Sequence, residues 1–221
     1  MPTLRREGNL YLLDLGEGEN RFTQEAVAEM ADALAEVAGA TGERALVTVA
    51  TGKFFSNGLD LDLLLKETET APGYVRSVQT LFADLLTLPA PSVAAISGHA
   101  FAAGAMMALC HDVRVMREDR GFFCLPEVDL GLPFTWGMTA LLRARLAPRV
   151  AHEAMVTGRR YGGVEAREAA IVDEAVAEED VLDRALAHAE RLAPKAGDAM
   201  GAIKARLYVD VVGQLRLPDA T

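Results

Sequence analysis

Ser92-Val93-Ala94-Ala95-Ile96-Ser97, then Gly98-His99-Ala100-Phe101-Ala102-Ala103-Gly104, then Ala105-Met106-Met107-Ala108-Leu109-Cys110, is the stretch that decides how this chain folds. The first six residues form an apolar run without polar alternation, as a strand buried on both faces does. The next seven are mostly small and glycine-bounded, which reads as a turn. The last six read as an apolar helix. Upstream, Ala45-Leu46-Val47-Thr48-Val49-Ala50 is a second buried strand, running into the loop over 51–58. A short helix begins over 59–65, and a longer one over 72–88 is ended by Pro89 and Pro91. Nearer the N-terminus, Thr23 caps a helix with apolar Val27, Met30, Ala31, Leu34 and Val37 at helical spacing, and Gly39 stops it. Residues 10–15 read as a strand in a hairpin with 3–6. Downstream, strands over 113–117 and 122–125 flank a charged turn. Beyond Glu127 the chain reads as helical to its end, with breaks at Pro148, Gly162-Gly163, Pro194 and Gly197. Strands alternating with helices predict an α/β fold with a mostly parallel sheet and right-handed crossovers.

The 221 residues suit one large domain, or a core with a small appendage. A formal net charge of −10 argues against a nucleic-acid partner, which requires a basic face, and against an anionic membrane surface. It leaves room for a small polyanionic ligand held by a few local cations. No apolar run approaches the roughly 20 residues that span a bilayer, the N-terminus lacks a secretory pattern, and the final Asp-Ala-Thr is not a peroxisomal tripeptide. A cytoplasmic location is the expectation. Cys110 and Cys124 form no Cys-x-x-Cys pair and read as reduced, buried thiols. The four histidines show no ligand spacing, so no metal is expected.

Three loops follow buried strands: 53–61 (KFFSNGLDL), 98–109 (GHAFAAGAMMAL) and 125–137 (LPEVDLGLPFTWG). In an open α/β sheet, ligands bind beyond the carboxyl ends of the strands, so the three should gather at one edge. Gly58 and the run Ala102-Ala103-Gly104 permit close backbone approach. Each of these two loops leads into a helix, whose first N–H groups lack internal partners. Two such groups aimed at one point make an oxyanion hole. Either loop alone would pass for an ordinary strand-to-helix turn; the combination of three does not.

The combination resembles the crotonase (enoyl-CoA hydratase/isomerase) superfamily. Phe55-Ser56-Asn57-Gly58-Leu59-Asp60 is similar to that family's Phe-x-x-Gly-x-Asp loop, the stretch over 98–112 to its small-residue oxyanion loop, and Pro126-Glu127-x-x-Leu130-Gly131 to its third motif. Thr157-Gly158-Arg159-Arg160-Tyr161, followed by Ala166, Ala169 and Ile171-Val172-Asp173, resembles a later family stretch. The resemblance runs over roughly residues 10–190. It implies a crotonase-like β/α superhelical core of ClpP/crotonase type over 1–195, with a helical C-terminal assembly segment over 196–221. It also implies an acyl-CoA thioester as substrate, with coenzyme A arriving as part of it and no tightly bound cofactor, and a homotrimer or hexamer. The oxyanion donors would be the N–H groups of Leu59 and Ala103, with Gly104 the one-residue alternative. Ala199, Ile203, Leu207, Val211 and Leu215 form a tail face that needs either a partner copy or the chain's own domain.

Hydratases of this family use two glutamates. The third loop keeps one, Glu127, while the second loop has Met106 at the other position. A single carboxylate suits a different reaction, removal of a proton from C2 of a 3-enoyl thioester and its return at C4, as in the short plant-type Δ3,Δ2-enoyl-CoA isomerases that the chain most resembles. An apolar wall of Met106, Met107, Leu132, Phe134 and Trp136 would exclude water and raise the proton affinity of the glutamate. Lys53, Phe55, Ser56, Asn57, Gly58 and Gly104 complete the expected substrate-binding set, Lys53 as a candidate for CoA phosphates. Asp129 is either a helper acid or a turn residue. The competing readings are a hydratase or another crotonase reaction, a non-catalytic acyl-CoA-binding protein, and a serine hydrolase. The last lacks a Gly-x-Ser-x-Gly elbow.

Overall fold

The computed structural model describes residues 1–66 and 69–217. In chain order the elements are β1 (Thr3–Glu7), β2 (Leu10–Asp14), α1 (Gln24–Gly39), β3 (Ala45–Val49), β4 (Phe54–Ser56), α2 (Leu61–Lys66), α3 (Ala71–Leu86), β5 (Ser92–Ile96), β6 (His99–Phe101), α4 (Ala103–Cys110), β7 (Val113–Arg117), β8 (Phe123–Cys124), α5 (Glu127–Leu130), α6 (Trp136–Arg145), α7 (Pro148–Thr157), α8 (Gly163–Glu168), β9 (Glu174–Val176), α9 (Val181–Leu192), α10 (Asp198–Leu207) and α11 (Val209–Arg216).

Six strands form the main sheet in the order β1-β2-β3-β5-β7-β9. Only the β1–β2 hairpin is antiparallel. Side chains alternate across its plane, yet β2, β3 and β5 are covered on both faces, which is why they read as unbroken apolar runs. Tyr11, Leu13, Leu46, Ala94, Ile96 and Met116 face the larger core with α1, α3 and α4. Leu12, Val47, Val93, Ala95 and Val115 face Val181, Ala185 and Ala189 of α9.

β4, β6 and β8 pair in parallel as a second, small sheet. Its first two strands lie inside segments that read as loop and turn, because each is only three residues long and shows no apolar alternation. β9 likewise falls in the stretch that reads as helical. The first helix turns Ala33 inward in place of Ala31. α4 starts at Ala103, two residues before the expected start.

The tail is two helices broken at Tyr208, so the expected single stripe splits. Val211 and Leu215 are buried, with α11 packed against α6 and α3, whereas Ile203 and Leu207 are exposed. Lys204 ties α10 down from within. Its buried Nζ donates to the Asp112 carboxylate at 2.7 Å and to the Ala90 carbonyl at 3.0 Å. Among the described residues no helix is long and apolar enough to cross a membrane.

Gly104 marks where the small sheet presses on α4. A Cβ there would lie 2.6 Å from both the Ser56 Cβ and the Ser56 carbonyl oxygen. Because one of these atoms is backbone, rotamer change gives no relief. Gly104→Ala is expected to cost about 2 kcal/mol of stability through overpacking. Thermal denaturation should show Tm lowered by roughly 4–8 °C for a chain of this size.

Candidate active site

Gly58 brings the first two loops together. It sits at φ +83°, and a Cβ there would fall 2.9 Å from the Ala102 Cβ and 3.0 Å from the Ala103 nitrogen. The peptide that carries the Leu59 N–H therefore runs within van der Waals reach of Ala103. Ala103 is the first residue of α4, where a backbone N–H has no intrahelical acceptor. Neither the Leu59 nor the Ala103 N–H donates a hydrogen bond among the described residues.

Ala102, just before the helix, has φ 49° and ψ −123°. Such a conformation strains a residue with a side chain and persists only where its surroundings impose it. Here the Ala102 N–H donates to the Cys124 carbonyl at 3.0 Å, and its own carbonyl accepts from the Met106 N–H at 3.0 Å.

The third loop closes the site from the far side. Phe123 and Tyr161 exchange two backbone hydrogen bonds of 2.9 Å, which fixes β8 against the Thr157-Gly158-Arg159-Arg160-Tyr161 segment. The chain then enters the single turn of α5 at Glu127 and leaves it through Gly131 in the left-handed conformation. Glu127 is 8% exposed, and its Oε2 has no hydrogen-bond partner among the described residues. Burial pushes its carboxyl up to about 7, against a weaker opposing pull from its own backbone N–H.

Two cavities meet at Glu127. One, of about 230 Å³, is lined mostly by apolar residues, among them Leu59, Phe101, Ala102 and Leu132, and also by Arg21 and Asn57. The other, of about 340 Å³, is apolar and lined by Leu59, Leu64, Leu65, Val75, Ala103, Met106, Leu132, Pro133, Phe134, Thr135 and Met138. Glu127 is the one carboxylate among the described residues that line them. Met106 borders the apolar cavity from α4, so the two loops put a thioether and a carboxyl on the same space.

The structure sorts the residues singled out from sequence. Leu59, Ala103, Met106, Glu127, Leu132 and Phe134 line the larger apolar cavity, and Asn57 lines the smaller one. Phe55 is fully buried in the core. The buried Ser56 Oγ donates to the Asn20 carbonyl at 2.7 Å and accepts from the Gly58 N–H at 3.1 Å, so it is occupied in shaping the loop. Gly104 packs on Ser56, and Met107 is buried on the inner side of α4. Lys53 is exposed, with Nζ 5.2 Å from the centre of the Phe54 ring, and borders neither cavity.

Trp136 is 70% exposed and stands outside the wall expected to contain it. Thr135 caps α6, and the helix turns Gly137, Met138, Leu141 and Leu142 inward, which leaves the first residue facing out. Asp129 is exposed beside Gly158. Arg21 is the residue that sequence reading missed. It comes from the loop after β2, which carries no motif, and only the fold brings it to the cavity.

Histidine chemistry is absent from this site. His111 is fully buried below α4, its Nδ1 2.9 Å from the Met107 carbonyl and its Nε2 2.8 Å from Thr48 Oγ1. Because a carbonyl only accepts, Nδ1 carries the hydrogen. Desolvation lowers the ring's pKa to about 4. Among the described residues no group of His, Cys, Asp and Glu could hold a metal.

The raised Glu127 value has a consequence for stability. Below the ordinary carboxyl value of 4.5 the group is protonated whether the chain is folded or not. As pH rises through about 7, the folded state must ionise a buried acid. The stability that the neutral acid retains at low pH is thus lost on going alkaline, by about 3 kcal/mol at most. Glu127→Gln has no such loss. Urea denaturation at about pH 4 and about pH 8 should show the variant gaining on wild type by up to that amount at the higher pH.

Comparison with known proteins places the chain. A sequence model of the enoyl-CoA hydratase/isomerase family matches residues 9–216. An Arabidopsis thaliana protein named enoyl-CoA delta isomerase 2, peroxisomal, is 38% identical over 98% of this chain and 96% of its own length. Enoyl-CoA delta isomerase 3 of the same plant is 37% identical over 100% and 96%. A solved apo structure of a Mycobacterium tuberculosis enoyl-CoA isomerase superposes with a TM-score of 0.88 at 25% identity, covering 97% of this chain and 94% of that one. With the match spanning nearly its whole length and the fold shared throughout, this chain belongs to the enoyl-CoA hydratase/isomerase family.

Proposed function

We propose that this protein is a Δ3,Δ2-enoyl-CoA isomerase in which Glu127 is the sole acid/base. The observation that carries the reading is the lone buried Glu127 carboxyl with Met106 across the same cavity. Hydration needs a water held between two acid/base groups, and the described lining offers one. Isomerisation needs one group that can give and take the same proton. A carboxyl held near 7 is poised for both directions at neutral pH.

In this reading the thioester carbonyl accepts from the N–H groups of Leu59 and Ala103. The Glu127 carboxylate removes a proton from C2 of the 3-enoyl thioester. The electron pair of that C–H bond moves into the carbonyl and gives a dienolate, whose oxygen charge the two N–H groups stabilise; one such donor is typically worth about 2.7–4 kcal/mol. The Glu127 carboxyl then returns its proton to C4. The electrons flow back from oxygen, a C2=C3 bond forms, and no water is consumed. Met106, Leu132 and Phe134 keep the cavity dry while the charge is present. The acyl chain lies in the larger apolar cavity, and Arg21 and Asn57, which line the smaller one, face the CoA portion, which comes and goes with the substrate as no resident cofactor does. A cytoplasmic location and a trimeric or hexameric assembly stay with this proposal. The names of two of the plant relatives give a peroxisomal location for those proteins.

Turnover of 3-hexenoyl-CoA, followed as conjugated-thioester absorbance, tests the reading. Wild type should convert it and should hydrate 2-hexenoyl-CoA poorly. Glu127→Gln should lose about 10²–10⁴-fold in kcat, the usual contribution of a general acid–base group. Strong hydration by wild type, or isomerisation undiminished in the variant, would overturn it. The base must be ionised to act, so kcat/KM should fall in acid and level off above an apparent pKa of about 7. A flat profile down to the ordinary carboxylate range would remove Glu127 as the base.

A further inference from the structure

We propose that Tyr74 is a positioning residue for this reaction, aiming the Leu59 N–H by carrying one rung of a backbone bridge through its hydroxyl. This rests on the reading of Leu59 and Ala103 as the thioester oxygen's donors.

The two N–H groups are held in different ways. Ala103 begins α4, a two-turn buried helix, so its N–H direction follows from the helix itself. Leu59 precedes α2 in an extended loop and has no helix of its own to orient it. Its direction comes from the parallel bridge between Phe22 and Leu59. In the first rung the Phe22 N–H donates to the Gly58 carbonyl at 2.9 Å. In a trans peptide the carbonyl and the following N–H point opposite ways. Fixing the Gly58 carbonyl toward Phe22 therefore turns the Leu59 N–H away from Phe22 and toward the cavity.

On the Gly58 side the loop is further held by the Asn57 N–H, which donates to the Glu19 carbonyl at 2.8 Å, so what is left to fix is the Asp60 side of Leu59. In a regular parallel bridge the second rung would run from the Asp60 N–H to the Phe22 carbonyl. Here the Tyr74 hydroxyl stands in it. It accepts from the Asp60 N–H at 2.9 Å and donates to the Phe22 carbonyl in a short bond. Gly58 and Asp60, the residues on either side of Leu59, are thus both tied to Phe22, the second through a phenol that comes from α3. Burial pushes that phenol up to about 12, so it keeps its proton wherever the enzyme is folded and active. The ring is 3% exposed and cannot swing out. Its neighbour Val75 lines the apolar cavity, so α3 supplies both a wall and the brace.

Tyr74→Phe keeps the buried ring and removes the rung. The expected result is kcat lower by about tenfold with KM nearly unchanged, the pattern of an interaction that matters most in the transition state. A purely structural role would lower stability without touching the bound substrate's electronics, so the deciding readout is spectroscopic. A conjugated dienoyl-CoA, bound at saturation, should show a red-shifted absorbance with wild type and with Glu127→Gln, because both retain the N–H pair. The shift should shrink in folded Tyr74→Phe. Site-specific 3-fluorotyrosine at position 74 keeps the hydroxyl and should restore both shift and kcat, which separates the missing rung from a folding defect. A full shift and wild-type kcat in Tyr74→Phe would overturn the role of Tyr74 while leaving the donors in place. No shift with wild type itself would sink the donor reading, and this proposal with it.

Discussion

The approach of the Gly58 backbone to Ala102 and Ala103 is the constraint on which the rest of this structure depends. It is a contact of main chain against main chain, and it tolerates almost no side-chain volume. The loop that contains Gly58 must lie flat against the turn before α4, and the strands leading into the two loops must pair directly, as β4 and β6 do. Gly98 and Gly104 follow from the same requirement. A Cβ on Gly98 would fall 2.5 Å from the Lys53 carbonyl, and one on Gly104 would meet Ser56. The positive φ of Ala102 is where the chain absorbs the remaining misfit, beside the N–H group proposed to act.

Charge is arranged around the same helix. The N-terminus of α4 faces the cavity, and its C-terminus is gathered in by two buried or part-buried guanidinium groups. Arg145 donates to the Leu109 and His111 carbonyls at 2.7 Å each, and Arg114 to the His111 carbonyl at 2.9 Å. Cations at the carbonyl end complement the helix dipole. The partial positive charge of the other end is left for the cavity. Glu127 then sits opposite, largely deprived of solvent, its Oε2 without a hydrogen-bond partner among the described residues. The result is an acid whose neutral form is stabilised and a backbone edge that favours negative charge a short distance away. A reaction that passes a proton to the first and an electron pair toward the second fits that polarity.

The fold also explains why an acidic chain serves a site with so little net charge. The −10 of the sequence is carried largely on the outer surface. Buried cations such as Arg114 and Lys204 are spent on holding elements together, through Asp173 and Asp112 respectively. Among the described residues that line the two cavities the one cation is Arg21, and its Nε pairs with the Glu19 carboxylate at 2.5 Å. Lys53, the cation that the loop sequence itself suggests, lies over the Phe54 ring outside the cavity wall.

The alternation of buried strands and helices, the three strand-following loops and the candidate glutamate were legible in the sequence alone. Strands β2, β3 and β5 are covered on both faces and so show as unbroken apolar runs, and Gly58 and Gly104 stand where nothing larger fits. The small sheet was not legible, because three-residue strands carry too little pattern to distinguish them from turns. Neither was the orientation of Trp136, since a helix's rotation about its axis depends on which of its faces meets α11. Arg21 and Tyr74 were invisible for a stronger reason. Each reaches the site from a part of the chain distant in sequence, Arg21 beside a cavity and Tyr74 through a hydroxyl that completes another segment's backbone bridge. Residue type and local spacing determine which elements form and which groups have chemistry to offer. Only the tertiary packing decides which of those groups lose their water, and that loss is what pushes the Glu127 carboxyl up to about 7.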